Sequence, residues 1–458
     1  MRVVIVGASG FLGNALAQAF SMRGTELLCT ARDADAARSK AAWNTSAARW
    51  ISADFSALPS AAFWARHLQP GDVVINAAGL LRERHSGELD AVHHLGPVQL
   101  FDACLQVGAA LVIQISALGA DDRAISRYHR SKAAGDRHLR QCPIASVIVQ
   151  PSLVWGDQGA SAQLFAALAV LPWLALPAGG RQPLQPVHVD DLVDGVLAVA
   201  DIGPRQLAAS QTIAFVGPQP VTLHAYLADL RQQLGYVRGA RVFSVPEGLF
   251  RWGAALAGRW PRSFLYPETA TMLLQGNAAP VDDFAKCLGR QPRAHHAFIP
   301  NGAGAAEAMR RAAWLRWALP MLRWAVAFVW IWTFVVSIGL YPRDQSLELL
   351  AQVGAHGPLA ELLLNGAAIF DLALGVGTLA LSAAWRSRFL WPFQLALIAF
   401  YTAMITWAMP DFWLHPFGPL SKNLPMCAAI VLLWAMEPPA RSRRTQRSRE
   451  HTPVQETP

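Results

Sequence analysis

Charged side chains are scarce in this chain: Asp, Glu, Lys and Arg make up 15% of its 458 residues, against 53% hydrophobic ones. Ordinary soluble domains carry about a quarter charged residues. The deficit excludes two soluble domains and puts part of the chain in lipid. Cysteine is scarce too. The five, at 29, 104, 142, 287 and 427, show no CxxC and no metal-ligand spacing, which excludes a disulfide framework and leaves reduced, buried thiols and no metal as the expectation. The first residues lack the charged, apolar, small-residue order of a secretory signal, so the domain they open is expected in the cytosol. A demand for nucleic acid is also missing. The net charge is +8, but much of it falls in Arg441, Arg443, Arg444, Arg447 and Arg449, after the last apolar segment. There it serves topology and anionic lipid.

What is present begins with Val3-Val4-Ile5-Val6 followed by Gly7-Ala8-Ser9-Gly10-Phe11-Leu12-Gly13. Glycines here let the backbone turn sharply from strand into helix and approach a pyrophosphate, whose charge then faces the helix N-terminus. Asn14–Arg23 reads as that helix and Glu26–Ala31 as the second strand of a βαβ unit. Arg32 ends this strand about 20 residues past the last glycine, where an acid favours NAD and a base NADP. The reading is NADP(H) preferred over NAD(H), with the adjacent Asp33 arguing the other way. Trp50–Ala53, Val73–Ala77 and Leu111–Ile115 read as further strands, the third ending at Asp54, placed to meet the adenine. The fourth leads to Ala78 and Gly79, small enough for cofactor to lie against the chain. Alternating strands and amphipathic helices predict a Rossmann-type, doubly wound parallel α/β sheet.

The fifth strand delivers Ser116 to its carboxyl end, where ligands of such sheets bind; a serine there is also an ordinary structural cap. Twelve residues on, Tyr128 and Lys132 stand at i and i+4 on one helix face. A phenol near pKa 10 becomes a useful acid or base when a close ammonium favours its phenolate. From Ser161 to Gly289 proline-punctuated helices and short strands suggest a small substrate lobe. There His188, Asp190 and Asp191 read as an acidic helix start rather than metal ligands.

Gly7, Gly10 and Gly13, the turn Asn76-Ala77-Ala78-Gly79, Ser116, Tyr128, Lys132 and the run Gln150-Pro151-Ser152-Leu153-Val154-Trp155-Gly156 resemble the extended, atypical branch of the short-chain dehydrogenase/reductase superfamily. Ser116–Ala120 and Gln185–Asp191 look like the group containing the NADPH-binding 39 kDa subunit of complex I. The resemblance spans about residues 1–295. It implies Tyr128 as acid/base, Lys132 as the residue that holds the nicotinamide ribose and lowers the tyrosine pKa, and Ser116 as the substrate-positioning group. It also implies cofactor contacts from Gly7, Ser9, Gly10, Phe11, Leu12, Gly13, Arg32, Asp54, Ala77, Ala78, Gly79, Tyr128, Lys132, Pro151, Leu153 and Val154. Gln150 replaces an arginine often found there, and His93 an asparagine.

Asn301–Gly304 reads as a hinge, and Arg310, Arg311, Arg316 and Arg323 with Trp314 and Trp317 as an interfacial helix. Spans follow at about 324–340, 359–383, 389–409 and 420–436, each close to the ~20 residues a bilayer requires. Basic residues gather on one side, with Arg343 and Lys422 alone on the other, so both termini are expected in the cytosol. Leu340–Arg343, Phe370–Gly375 and Phe412–Pro425 resemble the DoxX-like membrane family, four-helix bundles of which some are linked to quinone or thiol redox processes. Asp371 lies inside the second span, where an ionisable group is paired, here with Lys422 or Asn423, or functional.

The domain expectation is therefore 1–300 for the NAD(P)-binding domain with its lobe, 301–320 for hinge and interfacial helix, 321–437 for an all-α four-helix transmembrane bundle and 438–458 for a basic tail. The functional expectation is an inner-membrane bacterial oxidoreductase using a lipophilic carbonyl, alcohol or quinone-like substrate. Alternatives are a non-catalytic NADPH-binding assembly or sensor protein, a sugar epimerase or dehydratase, and a bundle that itself transports or relays electrons.

Overall fold

The computed structural model describes residues 1–437 apart from 44, 47, 203–209, 260–262, 301–302 and 417. The basic tail and the first half of the expected hinge, Asn301 and Gly302, lie outside the described residues. Compact packing divides the chain into Met1–Trp314 and Leu315–Pro458, within the long helix Ala303–Val335. Ala303 and Gly304, read as hinge, are its first residues.

In the N-terminal unit β1 (Arg2–Val6), β2 (Glu26–Ala31), β3 (Ala48–Ser52), β4 (Val73–Asn76), β5 (Leu111–Ile115) and β6 (Ser146–Pro151) join a seventh strand, Gln211–Phe215. The order across the sheet is seventh strand, β6, β5, β4, β1, β2, β3. Every neighbouring pair is parallel. Strands of this kind are covered on both faces and so read as unbroken apolar runs. Val3 and Ile5 pack with Leu16, Phe20 and Val196 on one side, Val4 and Val6 with Leu100 and Phe101 on the other. The strand order reverses between β1 and β4, and the crevice above their carboxyl ends is where a ligand of this fold sits.

Short paired strands form the lobe, among them Trp173–Pro177 beside Arg241–Val245. Asp191, in the acidic first turn of helix Val189–Ile202, is buried against Arg290 at 2.7 Å. The sequence reading of an acidic helix start describes its place.

The C-terminal unit is helical. Gly304–Leu340, Gly357–Ala380 and Ala383–Ala408 are long and apolar enough to cross a membrane. Asn423–Ala435 has 13 residues, about 20 Å at 1.5 Å per residue, short of the ~30 Å hydrocarbon layer. Val326, Trp330, Leu374, Trp391, Ile398 and Ile430, drawn from all four helices, share one apolar cluster. Arg323 and Arg386 both bond the Glu437 carboxylate, at 3.1 and 2.7 Å. Asn423 donates to Thr402 at 2.8 Å, while Asp371 is buried with its Oδ1 unpartnered among the described residues. The anticipated pairing with Asn423 is thus replaced by one between two neutral side chains.

Candidate functional site

The loop after β1 is shaped by what cannot fit in it. Gly7 adopts φ +82°, and a Cβ there would stand 2.9 Å from the Ala78 backbone; at Gly13 it would lie 2.2 Å from the Gly7 carbonyl oxygen. Helix Phe11–Met22 therefore packs tight against the strand it follows. Gly10 caps it with no side-chain hydrogen bond, which leaves N-terminal amides for an anion.

A cavity of about 310 Å³ opens beside this loop. Of the sequence candidates, Gly7, Ser9, Gly10, Arg32, Asp54, Ala77, Ala78 and Gly79 line it. Phe11, Leu12, Gly13, Tyr128, Lys132, Pro151, Leu153 and Val154 do not. Phe11 turns its ring toward Gly156 and Gly159, and Leu12 packs against the core. Pro151 ends β6 and Val154 pairs with Val187. Arg32 is exposed at the cavity wall. Asp33 instead caps helix Ala34–Lys40 by accepting from the Ala36 amide at 2.9 Å, and Asp54 accepts from Ser56. Arg84 and Glu88, which sequence reading missed, also face the cavity. Their ion pair, a side-chain hydrogen bond first of all, holds the Glu88 carboxyl down to about 2.

Helix Arg127–Gln141 supplies the rest. Its N-cap Ser126 accepts from the His129 amide, which starts the helix immediately before Tyr128. Lys132 is buried and donates to the carbonyls of Ile115 at 3.0 Å and Ala78 at 3.4 Å. A Cβ on Gly79 would stand 3.3 Å from its Nζ, so the amine meets the chain where the cavity begins. Burial lowers Lys132 to about 8 and raises Tyr128 to about 12. The direction for Tyr128 is opposite to the one that a close ammonium implies, because desolvation and, after it, the charge of Asp136 both raise it. The phenol ring lies edge-on to His93 and His129, at 5.3 and 5.4 Å.

Ser116 is buried and donates its hydroxyl hydrogen to Asp136. Asp136 is raised by burial, against the pull of Ser116 and Lys132. Sequence reading missed it although it continues the stripe Tyr128, Lys132, Asp136 at steps of four, one face of one helix. His93 was noted only as a departure. Its Nε2 accepts from the Leu80 amide at 3.1 Å, and its Nδ1 lies 2.9 Å from Ser131 Oγ, which in turn donates to the Tyr128 carbonyl. The ring is thus neutral with its proton on Nδ1, and burial holds its pKa well below the ordinary value.

Elsewhere Asp102, His138 and Cys142 bring ligand atoms within 4.8 Å of one another, a convergence that spacing along the chain hides. His138 and Asp102 already pair at 2.9 Å, an ordinary hydrogen bond.

Both parts of the chain are similar to known proteins. Residues 3–206 match the NAD dependent epimerase/dehydratase family and residues 327–431 the DoxX-like family. A dTDP-4-dehydrorhamnose reductase of Mycobacterium tuberculosis is 30% identical over 230 residues, 44% of this chain and 67% of the relative. A ceramide reductase of Caulobacter vibrioides is 26% identical over 275 residues, 56% and 78% of the two chains. The mitochondrial NADH dehydrogenase [ubiquinone] 1 alpha subcomplex subunit 9 of Dictyostelium discoideum is 25% identical over 198 residues, 43% of this chain and 54% of the relative. The chain spans about half the length of this relative, and 40% of the mouse one. With its glycine loop, seven-stranded parallel sheet and strand-end crevice, the N-terminal part of the chain belongs to the NAD dependent epimerase/dehydratase family, and a DoxX-like segment follows it.

Proposed function

We propose that the chain is a membrane-anchored oxidoreductase that prefers NADP(H) and acts on a lipophilic carbonyl, alcohol or quinone-like substrate. The observation that carries this is the meeting of Lys132 with Gly79: the helix bearing Tyr128 comes against a residue that lines the cavity. The cavity fits a dinucleotide by its glycine cradle and uncapped helix terminus. Gly7, Ser9 and Gly10 would hold the pyrophosphate, Arg32 a 2′-phosphate and Lys132 the nicotinamide ribose. When bound, the nicotinamide supplies or accepts hydride. Tyr128 then moves a proton at the substrate oxygen, and Ser116 orients that oxygen once its hydroxyl turns from Asp136.

The capping role of Asp33 supports the NADP preference, since its carboxylate is occupied away from the ribose. Three spanning helices, with Asn423–Ala435 as a short fourth, support a bilayer anchor and, with the basic flanks, a cytosolic N-terminal domain and tail at a bacterial inner membrane. The relative named for ceramide supports a lipophilic substrate. A second reading, an NADPH-binding protein without turnover, draws on the Ser116–Asp136 bond, which occupies the positioning hydroxyl.

The test is NADPH oxidation by full-length protein in lipid nanodiscs offered long-chain ketones. Tyr128→Phe should lose at least a hundredfold in kcat and keep its NADPH affinity within twofold. Equal turnover in both proteins, or none in the wild type across the panel, would overturn the enzyme reading.

A further inference from the structure

Helix Glu247–Ala257 turns its apolar side away from the protein. Leu249, Trp252 and Leu256 are 57%, 63% and 37% exposed, and their spacing of three and four residues makes one stripe. Ala254, the one buried residue of this helix, lies on the opposite side. The strand before it, Arg241–Val245, pairs in parallel with Trp173–Pro177, with Arg241 opposite Trp173 and Phe243 opposite Ala175. Trp173 and Phe243, 62% and 56% exposed, therefore share the outer face of that ribbon. Exposed apolar side chains set in one stripe mark an interaction site.

The surroundings identify the partner. Arg241, opposite Trp173, is exposed, as are Arg238 and Arg259, which flank the strand and the helix in sequence, and tryptophan with flanking arginine on an amphipathic helix is the composition of a membrane interface. The same chain carries spanning helices, so a bilayer is always at hand. We propose that this face of the N-terminal unit sits in the headgroup layer of a bilayer containing anionic lipid, and that it admits a lipophilic substrate to the site.

The face is joined to the site by hydrogen bonds. Behind the helix, the carbonyls of Gly258 and Ser263 accept from Arg82, and the Tyr266 hydroxyl donates to the Leu81 carbonyl at 2.6 Å. Leu81 and Arg82 follow directly on Gly79 and Leu80 at the cavity wall. The apolar face is thus tied to the rim of the cavity. Delivery of substrate rests on the proposed oxidoreductase reading, whereas docking does not.

The experiment places a spin label at Leu249→Cys, at Trp252→Cys and, as control, at the exposed Ser39→Cys, in full-length protein in nanodiscs of phosphatidylcholine and phosphatidylglycerol, with the signal of the native thiols subtracted. Labels at 249 and 252 should be relaxed more by oxygen than by a water-soluble nickel chelate, and the label at 39 the reverse. Labels at 249 and 252 that match the control would overturn the proposal. So would shielding from both relaxants with spin–spin broadening, which would mean a second copy of the chain covers the face. Because depth is read without turnover, an inactive protein would sink the enzyme reading and leave this measurement standing. For delivery, Leu249→Glu with Trp252→Glu should cut turnover of a bilayer-borne ketone at least tenfold with NADPH affinity unchanged; unchanged turnover would overturn it.

Discussion

The Ser116 hydroxyl donates to the carboxylate of Asp136, a fully buried acid on the same helix as Tyr128 and Lys132. Removing the acceptor leaves a buried hydroxyl unsatisfied, which costs about 1–3 kcal/mol. Asp136→Ala should therefore lower the Tm of the N-terminal unit, and Asp136→Asn, which still accepts the bond, should restore most of it. An unchanged Tm in Asp136→Ala would contradict the bond.

Lys132 is held at about 8 against an ordinary value of 10.5. Between those values the unfolded chain binds more protons than the folded one, so stability rises with pH. The gain from pH 8 to 10 should be on the order of 2 kcal/mol. Above pH 10 Tyr128, held near 12, reverses the slope. Unfolding of the cofactor-free protein followed across this range should show the rise, and Lys132→Met should lack it.

Arg32→Ala should cost NADPH roughly ten- to a hundredfold in affinity and leave NADH nearly unchanged, since a charge-assisted hydrogen bond contributes about 1.5–3 kcal/mol. Asp33→Ala should leave the preference between the two cofactors within twofold and instead lower stability by about 1 kcal/mol, the value of a helix cap. Calorimetric titration of both variants with each nucleotide decides this. A shift in preference on losing Asp33 would return the acid to the ribose.

Gly13→Ala pushes a methyl group into the Gly7 carbonyl, 2.2 Å away. Loop and helix must then part, and NADPH binding should fall at least tenfold together with a lower Tm. Gly24→Ala is the control for a glycine at positive φ with nothing within 4 Å of the added atom; it should lose stability and keep its cofactor affinity.

Orientation can be read from cysteines placed in the loops of the C-terminal unit. Gln345→Cys, after the first span, should react with an impermeant maleimide added to intact cells, and Ser382→Cys, between the second and third, should react only after lysis. The reverse pattern would put the cofactor domain away from cytosolic NADPH.

The parts legible in sequence are those in which chemistry and spacing lie on one short stretch. β2 and β5 span the residues expected, and the glycine loop and the Tyr128–Lys132 pair are local patterns of the same kind. Lys132 meeting Gly79 joins positions 53 apart, and nothing in either segment announces it. His93 is similar: only the fold shows that both ring nitrogens are engaged. Hydropathy reads the last apolar run as a full span because it does not see where a helix starts. Its residues before Asn423 are spent in turns, which leaves 13 for the helix.

His93 has one further consequence. One neutral imidazole bolts the loop that lines the nucleotide cavity to the helix that carries the phenol. At the same helix a Cβ on Gly135 would stand 2.2 Å from the His93 carbonyl oxygen, so the joint has no play. The loop after Gly79 and the helix of Tyr128 thus behave as a single casting. On the proposed function, adaptation to a new substrate would come from the lobe, because displacing either end of this strut would drag the other out of place.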